Sequence, residues 1–133
     1  MAATVGGERA VHGFGELEAA IMERLWQRSE PATVRDILTD LRQHREIAYT
    51  TVLTVMDNLY KKGSLRREPA GRAFRYTPVA GREQHVAQAM RRVLADSSNR
   101  AVALGHFVGG MTLEEAVALR AALTAYERKI AGN

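Results

Sequence analysis

The sequence predicts a mainly α-helical protein with a small β-wing, namely a winged helix-turn-helix unit followed by a helical dimerisation region. Three amphipathic helical patterns lie between residues 16 and 62, a hairpin pattern follows over 65–77, and helical patterns resume at residue 81. Three helices followed by a two-stranded hairpin are the element order of a winged helix. We therefore expect a flexible tail over 1–13, a winged-helix domain over 14–79 and a helical dimerisation domain over 80–133.

The first two helices are predicted from apolar periodicity and capping. Apolar residues recur every three or four positions over 16–27, which indicates one amphipathic helix. Thr33 is followed three residues later by Asp36, a capping pattern in which Asp replaces the usual Glu. The second helix therefore starts after Thr33, and its apolar periodicity ends near Gln43.

The third helix is predicted from about Ala48 to Lys62, because Gly63 is a residue that commonly ends helices. At about 100° per residue its apolar side chains cluster on one face: Val52, Val55, Met56 and Leu59. The opposite face carries Thr50, Thr51, Thr54, Asn58 and Lys61. An ordinary solvated face would carry mostly Glu, Lys, Gln and Arg, whereas threonine is a mediocre helix former. Because threonine can contact phosphates, base edges and thymine methyl groups, we predict that this face enters a DNA groove.

The predicted wing is strongly basic. Residues 60–76 contain six Lys or Arg residues and one Glu, a net charge of +5 against +4 for the whole chain. Such a concentration suits phosphate binding, and the alternative is charge that keeps an exposed hairpin edge soluble. Strand alternation directs Arg66 and Arg75 away from the apolar face of the hairpin. Arg72, at the tip, is our candidate for contact with the minor groove or its flanking phosphates.

Arg35 is a further candidate for phosphate contact. It lies in the first turn of the predicted second helix, where the free backbone amides favour anions. A lone surface arginine is the equally weighted alternative.

The C-terminal helices are predicted to dimerise. Thr112 and Glu115 form a capping box for the last helix, whose apolar residues alternate in steps of three and four. A helical segment of about 50 residues buries little apolar area by itself, so a second copy would supply the missing burial. The alternative is that these helices fold back onto the winged domain. The expected dimer contacts are Val86, Met90, Val93, Leu104, Phe107, Leu119, Leu123 and Tyr126.

Composition limits the function classes. The chain has no cysteine, which excludes disulfides and thiolate chemistry. The four histidines, His12, His44, His85 and His106, lack the spacing of a metal site, and no catalytic or nucleotide-binding motif occurs, so we predict no enzyme, metal or cofactor. His106 is expected to be a packed core histidine, with a pH- or ligand-sensitive interface group as the alternative.

The expected location and partner class also follow from composition. No apolar run reaches the roughly 20 residues of a membrane span, and residues 1–13 lack the apolar stretch of a secretory signal. We therefore expect a cytoplasmic protein without membrane insertion. The pI of about 9.8 suggests an anionic partner.

At this point the chain resembles the BlaI/MecI penicillinase-repressor family. The resemblance rests on the first-helix pattern LE…IM..LW, on PATVRDI at the second helix, on AYTTVLTVMDNLYKKG at the third and on GRAFRYTP in the wing. It continues more weakly through residues 82–123, including LEEAVALRAAL near the C-terminus.

This resemblance implies a homodimeric repressor that binds inverted repeats with TACA/TGTA cores in double-stranded operator DNA. On the matching positions, Thr50, Thr51 and Thr54 would read the major groove, while Arg72 and Arg75 would serve the wing. In many members a membrane sensor protease responds to β-lactams and triggers cleavage of the repressor. A protein-interaction winged helix without specific DNA binding is the alternative function.

Two positions depart from the family pattern. Asn58 stands where the family often has Arg, which would alter a backbone or base contact. His106-Phe107 aligns with the family's Asn-Phe cleavage pattern, so induction by proteolysis does not carry over directly. The absence of cysteine also excludes the sensing mode of the related copper-responsive repressors.

Overall fold

A computed structural model describes residues 13–132 of the chain. The predicted tail over 1–13 therefore lies, except for Gly13, outside the described residues, as does His12. The elements are α1 (Glu16–Gln27), α2 (Val34–Arg42), α3 (Tyr49–Lys61), β1 (Leu65–Ala70), β2 (Ala73–Pro78), α4 (Arg82–Ala95), α5 (Arg100–Gly109) and α6 (Leu113–Ala131). Their order confirms the predicted winged helix followed by three helices.

The chain divides into two compact units between Ala89 and Met90, within α4. The first unit contains the winged helix and the start of α4, and the second contains the end of α4 together with α5 and α6. Within the described part of the chain, no helix has the length and apolar character needed to cross a membrane.

The start of α2 is fixed by the predicted capping box. The backbone N–H of Asp36 donates to Thr33 Oγ1 over 3.1 Å, and the backbone N–H of Thr33 donates to Asp36 Oδ2 over 3.0 Å. The hydrogen bond from the Thr33 backbone, which outweighs partial burial, lowers the pKa of Asp36 below its ordinary value.

The end of α3 is fixed by Gly63. Its φ of 87° is left-handed backbone that glycine adopts without steric cost. The N–H of Gly63 donates to the Tyr60 carbonyl over 3.0 Å, and the N–H of Ser64 donates to the Leu59 carbonyl over 2.9 Å. This pair of bonds is a Schellman motif. The chain therefore leaves α3 in a defined direction and enters β1 directly.

One apolar core lies beneath the three helices and the wing. Every helix of the first three contributes one apolar face, and β1 and β2 contribute one buried side chain each. The fully buried members with the largest side chains are Ile21, Met22, Ile37, Leu38, Val52, Met56, Leu59, Leu65 and Tyr76. The predicted inward face of α3 is thereby confirmed, with Val55 partly buried at its margin.

The wing is an antiparallel pair joined by a tight turn. Leu65 pairs with Pro78 and Ala70 with Ala73, so Gly71 and Arg72 form the turn. Gly71 has a φ of 65°, which suits the left-handed turn conformation.

A backbone bridge attaches the wing to the helical part of the first unit. Tyr76 exchanges two backbone hydrogen bonds with Ala32, of 2.8 and 3.1 Å, in the connection between α1 and α2. This third strand-like contact stabilises a ribbon that would be marginal alone.

The start of α4 packs against α1 in the first unit. The indole N–H of Trp26 donates to the Ala80 carbonyl over 3.0 Å. Arg82 forms a bidentate pair with Glu23, at 2.9 and 2.6 Å, and this hydrogen-bonded pairing raises the pKa of Arg82. His85 stacks on Phe14 with ring centroids 4.7 Å apart.

The second unit has almost no interior in the single chain. Neither α5 nor α6 contains a buried residue. Thr112 and Glu115 form the predicted capping box at the start of α6. His106 is exposed, so the expectation of a packed core histidine is wrong for the single chain. The reason is that α5 presents apolar side chains that no other part of this unit covers. The exposed large apolar residues are Met90, Val93, Val102, Leu104, Phe107, Val108, Leu113, Val117, Leu123, Tyr126 and Ile130.

Candidate nucleic-acid interface

The outward face of α3 is the centre of the candidate interface. Because the buried side of the helix is anchored by Val52, Met56 and Leu59, the residues half a turn away must face solvent. The predicted contact residues on this face are all exposed: Thr50, Thr51, Thr54, Asn58 and Lys61. The helix thus presents small hydroxyl and amide groups, which can approach base edges closely.

An aromatic flank borders the threonine face. Tyr49, Leu53 and Tyr60 are each a little over one-third exposed, at 38%, 39% and 39%. The guanidinium carbon of Arg35 lies 5.2 Å from the ring centroid of Tyr49, within the range of a cation–π contact. Arg35 is therefore oriented by α3, although it belongs to α2.

Lys61 is not an isolated cation. Its Nζ lies 2.9 Å from Asp57 Oδ2, one helical turn earlier. The hydrogen bond from Lys61 lowers the pKa of Asp57, burial opposes it, and a second hydrogen bond from Arg67 lowers the pKa further, so that the net shift is downward. Asp57 therefore stays ionised, and both cations share its charge.

Arg67 contacts α3 and the wing at once. Its Nη1 lies 3.1 Å from Asp57 Oδ1. Its guanidinium carbon stands 4.0 Å from the Tyr60 ring centroid and 4.1 Å from the Phe74 ring centroid. Burial alone would lower the pKa of Arg67, but bonds to Tyr76 and Asp57 raise it, so the guanidinium stays charged.

The other basic residues of the wing face solvent. Arg66, Arg72 and Arg75 are exposed. In the described part of the chain, neither Arg66 nor Arg72 forms an ion pair with a carboxylate, while the charge of Arg75 acts on Asp36. These three side chains remain available to phosphate.

Lys62, by contrast, is paired inside the domain. Its Nζ lies 2.9 Å from Glu18 Oε2 and 5.7 Å from the Phe14 ring centroid. Partial burial raises the pKa of Glu18, but hydrogen bonds from Lys62 and the Gly15 backbone outweigh it and lower the pKa. Lys62 thus ties the end of α3 to α1.

The predicted dimerisation residues are solvent-facing in the single chain. Val86, Met90 and Val93 are exposed on α4, at the spacing of one helix face. Leu104 and Phe107 are exposed on α5. On α6, Leu123 and Tyr126 are exposed, and Leu119 is partly exposed.

Sequence reasoning did not single out Asp57, Tyr60, Arg67 or Phe74 as a group. Two sequence patterns could have indicated this group. Asp57 and Lys61 have the spacing of a helical ion pair. Arg67 also shares a strand face with Phe74 and Tyr76, because alternate residues of paired strands point the same way.

Among residues 13–132, no three His, Asp or Glu side chains are grouped closely enough to hold a metal ion.

Comparison with known proteins identifies the sequence class. Residues 14–125 match the family described as Penicillinase repressor. The chain is 47% identical over 117 residues to the transcriptional regulator BlaI of Mycobacterium tuberculosis strain CDC 1551 / Oshkosh, which covers 86% of this chain and 85% of the relative. The same figures hold for the protein of strain H37Rv.

Two of the solved structures that are similar to this chain are those of a repressor domain and of a transcription regulator. The solution structure of the DNA-binding domain of the repressor BlaI is 25% identical and covers 54% of this chain and 87% of that chain, with a TM-score of 0.47. MepR, a transcription regulator of the Staphylococcus aureus multidrug efflux pump MepA, is 16% identical and covers 89% of this chain and 81% of that chain, with a TM-score of 0.48.

Proposed function

This chain belongs to the Penicillinase repressor family and is a DNA-binding transcriptional repressor, not an enzyme, and we propose that it acts as a homodimer on inverted-repeat operators with TACA/TGTA-like half-sites. The proposal rests on two observations: the threonines on the outward face of α3 are exposed, and so are Arg66, Arg72 and Arg75 of the wing. Small polar groups on the helix suit base edges, and cations on the wing suit phosphates.

Each interface residue receives a role in this proposal. The threonines and Asn58 read the major groove, Lys61 and Arg35 contact flanking phosphates, and the wing arginines contact the minor groove or the backbone beside it. The residues assigned to DNA are Arg35, Thr50, Thr51, Thr54, Asn58, Lys61, Arg66, Arg72 and Arg75.

The dimer is supported by the second unit. Its helices expose many large apolar side chains and bury none on α5 and α6. Transfer of such side chains from water into an interface is favourable. A twofold dimer that places its two α3 helices about one DNA turn apart, roughly 34–36 Å, would match an inverted repeat.

Regulation is proposed from the family membership. We place the repressor in the cytoplasm, with a link to the β-lactam or cell-wall stress response and with a sensor protease as a further partner.

Phe107 lies on α5 among the exposed apolar residues, so cleavage beside it would remove α6 from the dimer surface. Immunoblotting after β-lactam treatment should show a shortened chain, and an intact chain in induced cells would reject the protease as the partner.

Gel-shift titration tests the central proposal. The intact protein is titrated against a duplex with an inverted TACA/TGTA repeat and against the same duplex scrambled, at several salt concentrations. We expect tighter binding to the repeat, with affinity falling as salt rises because counterions are released from the phosphates. Equal affinity for both duplexes would reject specific recognition, and negligible affinity for either at low salt would favour a protein-interaction module.

A further inference from the structure

Arg67 is less exposed to solvent than the other basic residues of the wing, Arg66, Arg72 and Arg75, which are all exposed. Its side chain is 23% exposed. For comparison, the side chain of Lys61 at the end of α3 is 69% exposed. Arg66, its neighbour in β1, is exposed on the other face of the ribbon. Arg67 is thus turned toward the protein, although it belongs to the basic segment predicted to bind phosphate.

The contacts of Arg67 come from two elements other than its own strand. Asp57 and Tyr60 belong to α3, Phe74 belongs to β2, and Arg67 itself belongs to β1. The guanidinium lies about equally close to both rings, at 4.0 and 4.1 Å, and one of its N–H groups donates to Asp57 over 3.1 Å. A planar guanidinium combines stacking on rings with directed hydrogen bonding in a way that an ammonium group does not.

The wing needs such a contact to hold its direction. A two-stranded ribbon is marginal by itself, and the backbone bridge to Ala32 holds it at the single residue Tyr76. Arg67 stands opposite Tyr76 in the ribbon. Its side chain contacts Asp57 and Tyr60 of α3 and also Phe74, which lies two residues nearer the tip than Tyr76. The direction of the tip relative to α3 therefore depends on this cluster.

We propose that Arg67 is a positioning residue: its contacts with Asp57, Tyr60 and Phe74 hold the wing at a set angle to α3, so that Arg72 meets the DNA while α3 occupies the groove. This inference rests on the proposed DNA-binding function and adds to it a residue that acts without contacting DNA. Arg67 also shares with Lys61 the neutralisation of the Asp57 carboxylate.

A double-mutant cycle between Arg67 and Arg72 tests the proposal. Arg72→Gln alone should weaken binding to the inverted-repeat duplex on the order of tenfold. Arg67→Lys keeps the charge but loses the planar stacking, so the tip is no longer held in place. In the Arg67→Lys background, Arg72→Gln should therefore cost less than about twofold.

A purely structural role would give a different result. If Arg67→Lys only lowered the folded fraction, Arg72→Gln would cost the same factor in both backgrounds, and that additivity would overturn the proposal. Arg66→Lys is the matched control, because it changes the same residue type on the same strand without touching the cluster. Its cycle with Arg72→Gln should be additive.

The salt dependence supplies a second, independent readout. Arg66→Gln should reduce the slope of log affinity against log salt by about 1 both in the unmodified protein and in the Arg72→Gln background, because it removes a separate phosphate contact. Arg67→Gln should reduce the slope by about 1 in the unmodified protein, since the Arg72 contact is lost with it, and by nothing further in the Arg72→Gln background. A further reduction of about 1 in that background would make Arg67 a phosphate ligand and reject the positioning role.

Two further outcomes are separable. If Arg67→Lys does not fold, as judged by circular dichroism, Asp57→Asn replaces it, and the same loss of the Arg72 effect is expected. If the unmodified protein binds neither duplex, the proposed function fails. If it binds and the cycles are additive, only the role of Arg67 fails.

Discussion

The basic residues of the interface differ in their availability to DNA because some of them are paired with carboxylates. The stretch from α3 to the end of the wing carries six basic side chains. Lys61 and Arg67 share Asp57, and Lys62 pairs with Glu18. Exposed ion pairs contribute little stability, at most about 1 kcal/mol, but they reduce the charge offered to DNA. Arg66 and Arg72 are exposed without such a partner in the described part of the chain.

The first prediction compares Arg72 with Lys62. Arg72→Gln should weaken binding to repeat and scrambled duplexes alike and reduce the salt slope by about 1, because a phosphate contact is lost. Lys62→Gln is the control: its charge is already paired with Glu18, so we expect a smaller change in slope. Binding is measured by fluorescence anisotropy at several salt concentrations. Equal changes in the salt slope for the two variants would show that pairing with a carboxylate does not prevent a cation from contacting DNA.

Thr54 provides the second prediction at this scale. Thr54→Val removes the hydroxyl and keeps the shape, whereas Thr54→Ser keeps the hydroxyl and removes the methyl. If the hydroxyl reads a base edge, the valine variant should lose up to about tenfold in the ratio of repeat to scrambled affinity. If the methyl contacts a thymine methyl, the serine variant should lose it instead. Unchanged ratios in both variants would remove Thr54 from the recognition surface.

The positions of α2 and α3 depend on their capping interactions as well as on the packing of their apolar faces. In α2 the Thr33–Asp36 capping box satisfies two backbone N–H donors at once. In α3 the Schellman bonds around Gly63 fix where the chain turns toward the wing. Since α2 and α3 carry Arg35 and the threonine face respectively, these caps also set the positions of side chains proposed to meet DNA.

The capping box predicts a pH-dependent stability. The pKa of Asp36 is lowered in the folded state by the Thr33 backbone hydrogen bond, so its contribution is present above the ordinary pKa of 3.8 and is lost as pH falls through the lower folded value. Asp36→Ala should cost about 1 kcal/mol at neutral pH, and the difference from wild type should shrink below the ordinary pKa. Urea unfolding across pH measures this. Glu46→Ala, an exposed acidic control, should show little difference at any pH.

Gly63 gives the second prediction at the scale of elements. Gly63→Ala should destabilise the domain by about 1–2 kcal/mol, because alanine pays the left-handed backbone cost. No atom lies within 4 Å of a Cβ added there, so steric contact adds nothing. Gly63→Asn should recover part of the loss, since asparagine tolerates this conformation. Equal losses for alanine and asparagine in denaturant unfolding would contradict the backbone explanation.

At the scale of the whole molecule, the two units differ in how complete they are. The winged-helix unit has a continuous core with Ile21, Ile37, Val52, Met56 and Leu59 fully buried. The second unit leaves its large apolar residues in water. Exposed apolar patches of this kind mark association surfaces. We therefore propose that the second unit associates with a second copy of the chain.

This difference predicts the effect of charge in the second unit. Phe107→Glu and Leu123→Glu should each shift the protein from dimer to monomer, because a carboxylate would have to be buried at the interface. Ala125→Glu, on another side of α6 by the 100° helical step, is the control and should remain dimeric. Sedimentation velocity over a range of concentrations measures the state. A wild-type monomer at all concentrations, or dimeric Glu variants, would reject this interface.

The helices, the wing and the orientation of α3 could be predicted from the sequence because each depends on residues close together in the chain. The capping pair at Thr33 and Asp36, the stop at Gly63 and the apolar periodicity of α3 are all local, and the structure confirms them. The basic charge of the wing was also visible in the sequence, and the proposed contact with DNA was inferred from it. The exposure of His106 was not predicted, because an apolar stretch looks the same whether its own chain covers it or leaves it for a partner.

The order of elements, the outward face of α3 and the class of partner thus follow from the amino-acid sequence alone. Which cations are left unpaired by carboxylates depends on the folded arrangement of the chain. Lys62 is paired with a glutamate 44 positions away, and Arg67 is held by Asp57, Tyr60 and Phe74, which belong to two other elements. Charge is a property of each residue, but its availability depends on neighbours that only folding brings within hydrogen-bonding distance.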